Sequence, residues 1–136
     1  MGAVPALLGL MHASPGDAPR AFYSGTQHHP IYVEHIAPPR DAVSAKAPVI
    51  MVHGGFHNGN CYLVTPDARH GWAPLFAAAG RSVFVPDWPG HGRSPMAPDF
   101  VTLNTADVMR SLILLLEQVG PAVLLVHSAS GPIASI

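Results

Sequence analysis

The stretch that decides the fold is residues 122–131, AVLLVHSASG, in which five apolar residues and a histidine lead into a serine set among small residues. Five consecutive apolar residues predict a short strand that is buried on both faces. Ser128 follows this strand at a sharp turn, and the small residues after it avoid the clashes that such a turn creates. This arrangement is typical of a catalytic nucleophile held on a strained backbone.

The serine turn departs from the usual G-x-S-x-G pattern of nucleophile turns. Val126 and Ser130 occupy the two positions that are normally glycine. Val126 is larger than expected and predicts local strain, whereas Ser130 is still small. Ser128 is therefore the predicted nucleophile, with Ser130 as the alternative and a non-catalytic, helix-capping Ser128 as a third interpretation. The backbone N–H of Ala129, next after the nucleophile, is predicted to donate to the oxyanion.

Two upstream apolar runs end in the same way as the strand before Ser128. Residues 49–53 lead into a glycine-rich turn, and residues 82–86 lead into Asp87. Continuous apolar strands are typical of a parallel sheet covered by helices on both faces. We therefore expect 49–53, 82–86 and 122–127 to be parallel neighbours whose polar ends meet at one edge.

Helical patterns lie between these runs. An apolar stripe from Val108 to Val119 predicts a helix that begins at Asn104 or Thr105 and stops at Gly120. Residues 71–79 predict a shorter helix. The alternation of strands and helices predicts an α/β fold with a mostly parallel, doubly wound sheet.

The N-terminal part has a different pattern. Residues 1–19 contain three prolines and no clear period, and they are predicted to be an irregular leader. Residues 21–24 and 31–36 are rich in aromatic and β-branched residues and predict an antiparallel hairpin with a loose turn. One domain is expected from residue 20 to residue 136.

The turn His53-Gly54-Gly55-Phe56 is the second candidate piece of a site. A glycine-rich turn after this strand supplies an oxyanion N–H in folds with a nucleophile turn. Gly55 is the predicted donor, Phe56 is the alternative, and a plain turn is the non-catalytic interpretation. His53 is expected to hold the loop by hydrogen bonding and not to act as a base. His53 and His57 are not expected to pair on a metal, and neither a metal nor a cofactor is expected.

Composition narrows the function classes. Charged residues make up 11% of the chain, the net charge is −1, and basic residues do not cluster, which argues against nucleic-acid binding. The longest apolar run is too short and too polar for a membrane span. Cys61, the single cysteine, has no internal disulfide partner. The first residues lack the basic segment of a secretory signal, so a cytoplasmic location is favoured over secretion.

The segment 87–94, DWPGHGRS, completes a set of three motifs. With the HGG turn and the HSAS turn, in this order and spacing, it resembles the serine α/β-hydrolase superfamily. Residues 65–72, TPDARHGW, and the hairpin are similar to a bacterial esterase group within it. The resemblance covers residues 20–136 and implies acyl-enzyme chemistry on small-molecule carboxylic esters. It also implies that Asp87 and Arg93 brace a structural loop.

The resemblance implies a Ser–acid–His triad whose acid and histidine lie well beyond the nucleophile. The sequence ends eight residues after Ser128, so both are expected beyond residue 136. The chain is interpreted as the N-terminal half of the α/β-hydrolase fold, truncated after the nucleophile turn. Competing interpretations are an inactive binding module with this fold and a non-functional fragment. The strand at 122–126 would be an open edge, through which self-association is expected.

Overall fold

The computed structural model describes residues 20–42 and 46–135, and these form one five-stranded sheet with helices packed on it. The strands are β1 (Ala21–Gly25), β2 (Pro30–Ile36), β3 (Val49–Val52), β4 (Val83–Pro86) and β5 (Val123–Val126). Their order across the sheet is β1-β2-β4-β3-β5. The pairs β3–β4 and β3–β5 are parallel, whereas β1–β2 and β2–β4 are antiparallel. The predicted α/β-hydrolase architecture is confirmed, and its antiparallel end is the predicted hairpin.

The helices are α1 (Asn60–Leu63), α2 (Trp72–Ala78) and α3 (Thr105–Val119), with 3-10 turns at Phe100–Thr102 and Ser128–Ser135. α3 begins at the predicted cap, where the Asn104 side chain accepts from the Asp107 N–H and the Asp107 carboxylate accepts from the Asn104 N–H, both at 3.2 Å. It ends at Gly120, whose φ of 84° is in the left-handed region. The sequence did not predict α1 or the 3-10 turns, because elements this short show no periodicity.

β3 shows why the central strands are continuously apolar. Ile50 and Val52 pack into the core under α3, whereas Val49 and Met51 pack into the second core, under α2. All four side chains are fully or almost fully buried. Each such burial stabilises the fold by about 1.5–3 kcal/mol relative to an exposed side chain. The sheet is therefore covered on both faces, as a doubly wound fold requires.

β5 lies at the edge of this sheet and pairs with β3. The expectation that this strand is buried on both faces is wrong, because Val123 is 48% exposed and the other three residues of β5 are only partly buried. An edge of this kind presents unpaired backbone groups to other chains. Self-association through β5 stays a prediction.

The predicted leader, residues 1–19, lies outside the residues that the structure describes, so its irregular character stays a prediction. The single-domain boundary from residue 20 to residue 136 stays a prediction as well. Over the described ranges, no helix combines the length and the apolar character needed to cross a membrane.

Candidate active site

Three polar turns meet at the carboxyl ends of the parallel strands. β3 leads into the His53-Gly54-Gly55 turn, β4 leads into Asp87, and β5 leads through His127 into Ser128. A Cβ atom added to Gly54 would lie 3.1 Å from the Ser128 Cβ. The structure therefore brings the glycine turn and Ser128 together, as the parallel arrangement predicted.

The backbone at Ser128 is strained in the way that a sharp strand-to-helix turn requires. Ser128 is exposed, and its φ of 54° is in the left-handed region. Phe56, at the end of the glycine turn, has a φ of 62° and is fully exposed. A left-handed backbone conformation costs about 1–2 kcal/mol for a residue with a side chain. Such strain persists only where the surrounding structure imposes it, and it clusters at functional sites.

The two residues of the glycine turn meet the serine turn differently. A Cβ at Gly54 would lie 2.9 Å from the His127 Nδ1 and 3.1 Å from the His127 carbonyl oxygen, so only glycine fits there without displacement. A Cβ at Gly55 would lie 3.5 Å from the Ala129 Cβ, which is ordinary van der Waals contact. Gly55 and Ala129, the predicted sources of the two oxyanion N–H groups, are therefore neighbours in space.

Ser130 fastens the serine turn to the end of β3. Its side chain is fully buried, and its hydroxyl donates to the His53 carbonyl oxygen. Its backbone N–H donates to the His127 carbonyl at 3.0 Å. The sequence indicated that Ser130 is small and made it the alternative nucleophile, but it did not indicate this hydrogen bond, because the partner carbonyl is 77 positions away. The hydroxyl explains why serine is accommodated where such turns usually have glycine.

His53 holds the glycine turn from the inside. Its Nδ1 lies 2.7 Å from the Gly54 carbonyl oxygen, and its Nε2 lies 3.0 Å from the Trp88 backbone nitrogen. A carbonyl only accepts and a backbone N–H only donates, so Nδ1 carries the hydrogen and the ring is neutral. Burial lowers the pKa of His53 below its usual range. The expectation that His53 holds this loop is confirmed, since both ring nitrogens are engaged.

Asp87 braces the loop that follows β4. The carboxylate is fully buried. Oδ1 accepts from the Gly59 N–H at 2.5 Å, and Oδ2 accepts from the Arg93 N–H at 2.9 Å and from the Arg93 Nε at 3.0 Å. The Arg93 guanidinium lies 4.2 Å from the Tyr32 ring centroid and also donates to Glu34 at 2.9 Å. The predicted bracing by Asp87 and Arg93 is confirmed, and Gly59 is a partner that the sequence did not indicate.

Residues 49–136, well over half of the chain, match the sequence model of the alpha/beta hydrolase family. The chain belongs to the alpha/beta hydrolase family. The probable secreted lipase phiG of Fungal sp. (strain ATCC 74256) is 35% identical to it over 92 residues. That match covers 64% of this chain and 25% of the lipase, so the chain spans about a quarter of this relative's length.

Solved structures show the same fold at low sequence identity. A novel bacterial esterase matches with a TM-score of 0.60 and 21% identity over 78% of this chain and 52% of its own. The thioesterase domain from the curacin biosynthetic pathway matches with a TM-score of 0.63 and 22% identity. This match covers 85% of this chain and 39% of the thioesterase chain. The epoxide hydrolase VrEH1 from Vigna radiata matches with a TM-score of 0.60 and 12% identity. This match covers 88% of this chain and 34% of the epoxide hydrolase chain. These similarities support the alpha/beta hydrolase fold.

Two open cavities border the serine turn of this alpha/beta hydrolase chain. A cavity of about 400 Å³ lies beside Ala129 and Ile133 and reaches the first turn of α3. Most of its other lining residues are apolar or aromatic, among them Trp88, Phe100, Leu103 and Val108. A second cavity of about 450 Å³ lies beside Val126 and His127 and reaches α1 and α2. Cavities of this size and lining can hold the apolar groups of a small molecule.

His53 and His57 were not expected to bind a metal ion together. His53 uses both ring nitrogens in hydrogen bonds, and the His57 ring contacts the His127 ring edge-on at 6.1 Å between centroids. A different set of donor atoms converges at His28, His29 and Asp99, in the β1–β2 turn and ahead of α3.

Proposed function

We propose that this chain carries the nucleophile of a serine hydrolase that acts on carboxylic esters through an acyl-enzyme. The observation that carries the proposal is the exposed, left-handed Ser128 directly beside the Gly54-Gly55 turn. A strained serine at the carboxyl end of a strand of the parallel sheet is the arrangement that presents a hydroxyl to a substrate in this family's fold.

The chemistry follows from the positions of three residues. Ser128 Oγ attacks the ester carbonyl carbon, and the carbonyl π electrons move onto its oxygen. The N–H groups of Gly55 and Ala129 stabilise the oxyanion, because donors fixed in advance need no reorganisation when the charge develops. Collapse of the intermediate breaks the bond to the alcohol oxygen, which leaves with a proton. Water then attacks the acyl-serine and releases the acid.

Burial favours Ser128 over Ser130 as the nucleophile. Ser130 is fully buried and its hydroxyl is committed to the His53 carbonyl, whereas Ser128 is exposed. Attack by Ser130 would require this hydrogen bond to break and the turn to open. Ser130 therefore fits a positioning role.

The general base is not assigned to His53, because its Nε2 already accepts a hydrogen bond inside the core. A serine hydroxyl is a weak nucleophile without a base. Loss of a triad member leaves roughly 10³–10⁴-fold acceleration over water. Whichever group serves as the base, its removal is therefore expected to leave only slow ester hydrolysis.

The substrate class is supported by the relative and by the cavity. The lipase phiG is named for action on lipid esters, and it is the relative with 35% identity. The 400 Å³ cavity beside Ala129 has an apolar lining that suits the acyl or alcohol group of a small ester.

A fluorophosphonate probe tests the assignment in the full-length protein. Peptide mass spectrometry should find one adduct, on Ser128. Ser128→Ala should abolish both the adduct and the hydrolysis of p-nitrophenyl butyrate, whereas Ser130→Ala should retain the adduct on Ser128. An adduct on Ser130 would reassign the nucleophile. Ester hydrolysis that is unchanged in Ser128→Ala would refute Ser128 as the nucleophile, and the absence of both adduct and hydrolysis in the unaltered protein would favour a fold that binds without this chemistry.

A further inference from the structure

Two histidines and one aspartate converge where the β1–β2 turn meets the segment before α3. His28 Nε2 lies 3.0 Å from the Asp99 Oδ2, and His29 Nε2 lies 3.2 Å from the Asp99 Oδ1. One donor atom from each of the three residues lies within 4.8 Å of the other two. The three side chains are thus close enough to bind a single ion.

We propose that His28, His29 and Asp99 form a binding site for Zn²⁺ or a similar divalent transition-metal ion. Imidazole nitrogen and carboxylate oxygen bind Zn²⁺ at about 2.0–2.2 Å, so two ligands of a tetrahedral ion lie roughly 3.4 Å apart. The two Nε2 atoms lie 3.0 and 3.2 Å from the two Asp99 oxygens, and the three donor atoms lie within 4.8 Å of one another, so side-chain rotations would have to bring them around one ion. Three protein ligands leave a fourth position for water.

The backbone that carries these ligands is already fixed. The His29 N–H donates to the Thr26 Oγ1 at 2.9 Å, and the His29 carbonyl accepts from the Ser111 hydroxyl at 2.6 Å. The Asp99 carbonyl accepts from both the backbone N–H and the hydroxyl of Thr102, each at 2.8 Å. Ordering the ligands in advance lowers the entropy that binding would otherwise lose.

The three side chains differ in their exposure to solvent: one is buried and two are accessible to an ion. The His29 side chain is 8% exposed and is held in place, whereas those of His28 and Asp99 are 64% and 43% exposed. The exposed pair gives an ion access from solvent.

Metal binding would displace the hydrogens that the two Nε2 atoms carry. In the metal-free state each Nε2 that donates to the Asp99 carboxylate carries a hydrogen. Coordination requires the Nε2 lone pair, so the hydrogen of the ring moves to Nδ1. The bound ion would link residues 70 positions apart in the sequence. The site involves neither Ser128 nor its turn, so its test is independent of the hydrolase proposal.

Isothermal titration of the chain with ZnCl₂ tests the site. The unaltered chain should bind one Zn²⁺. His28→Ala and Asp99→Asn should each weaken binding by more than about tenfold, because removal of even an outer-shell partner causes such a loss. His70→Ala is the matched control, since His70 is an exposed histidine outside the cluster, and it should bind as the unaltered chain does.

A second measurement uses the unaltered chain and so does not depend on how the variants fold. Co²⁺ should broaden the ring-proton NMR signals of His28 and His29 and leave those of His70 sharp. Zinc binding of equal strength in all variants, no binding by the unaltered chain, or broadening at His70 without broadening at His28 would each overturn the proposal.

Discussion

Asp87→Asn is the substitution for which the structure predicts the clearest loss of stability. The buried Asp87 carboxylate accepts three hydrogen bonds, one on Oδ1 from Gly59 and two on Oδ2 from Arg93. Asparagine has one oxygen and one NH₂ group in the same space. Either the Gly59 N–H or the two Arg93 donors would then face another donor.

The expected loss is about 3 kcal/mol of the free energy of unfolding. Removing one partner of a buried ion pair costs about 3–5 kcal/mol, because a buried charge is left uncompensated. The lower end applies here, since the Arg93 side chain is 37% exposed and keeps its bond to Glu34. Domains of this kind are stable by about 5–15 kcal/mol, so a loss of this size is measurable.

Asp67→Asn is the matched control, because Asp67 Oδ2 also accepts from an arginine Nε, that of Arg69 at 2.6 Å. Both of these side chains are largely exposed, and an exposed ion pair contributes little to stability because solvent screens it. Urea titrations followed by circular dichroism give both free energies. A loss for Asp87→Asn as small as that for Asp67→Asn would refute the argument that burial makes the first pair critical.

Three further predictions concern the turns around Ser128. Ser130→Ala should lower the free energy of unfolding by about 1–3 kcal/mol in urea titrations, because the His53 carbonyl loses its buried donor; no change would contradict this bond. Gly54→Ala should lower the midpoint of urea unfolding more than Gly55→Ala. The reason is that the added Cβ would lie 2.9 Å from its nearest atom at Gly54 and 3.5 Å at Gly55. Equal midpoints would contradict the closer contact of Gly54 with the serine turn. Burial lowers the pKa of His53 from its reference value of 6.5, so the unfolded chain binds the proton first as the pH falls. The contribution of neutral His53 to the free energy of unfolding should therefore be complete above pH 6.5. Below that pH it should decline by up to about 1.4 kcal/mol per pH unit. The pH profile of His53→Gln should lack this decline.

Local patterns predicted the strands, the main helices and the serine turn. The apolar runs at 49–53, 82–86 and 122–127 became β3, β4 and β5, each one or two residues shorter than predicted. Asn104 marks the start of α3 and Gly120 marks its end, because a cap acts through hydrogen bonds within four residues. These features depend on neighbours along the chain, so a single sequence displays them.

Long-range hydrogen bonds were not predictable in the same way. The Ser130 hydroxyl reaches a carbonyl on β3, and the Asp87 carboxylate reaches the Gly59 N–H across 28 positions. Any buried polar side chain needs a partner, but only the three-dimensional arrangement decides which backbone group supplies it. The convergence of His28 and His29 on Asp99 depends in the same way on how a turn packs against α3.

The strain at the candidate site has to be offset by groups that do not take part in the reaction. Left-handed conformations at Ser128 and Phe56 cost about 1–2 kcal/mol each. One hydrogen bond contributes a net of only about 0.5–1.5 kcal/mol, so no single contact holds both turns. The Ser130 hydroxyl on the His53 carbonyl and the two bonds of the His53 ring act on the two turns from inside the core. Because these bonds join β3, β4 and β5 at one point, relaxation of the Ser128 turn would require the glycine turn to move with it.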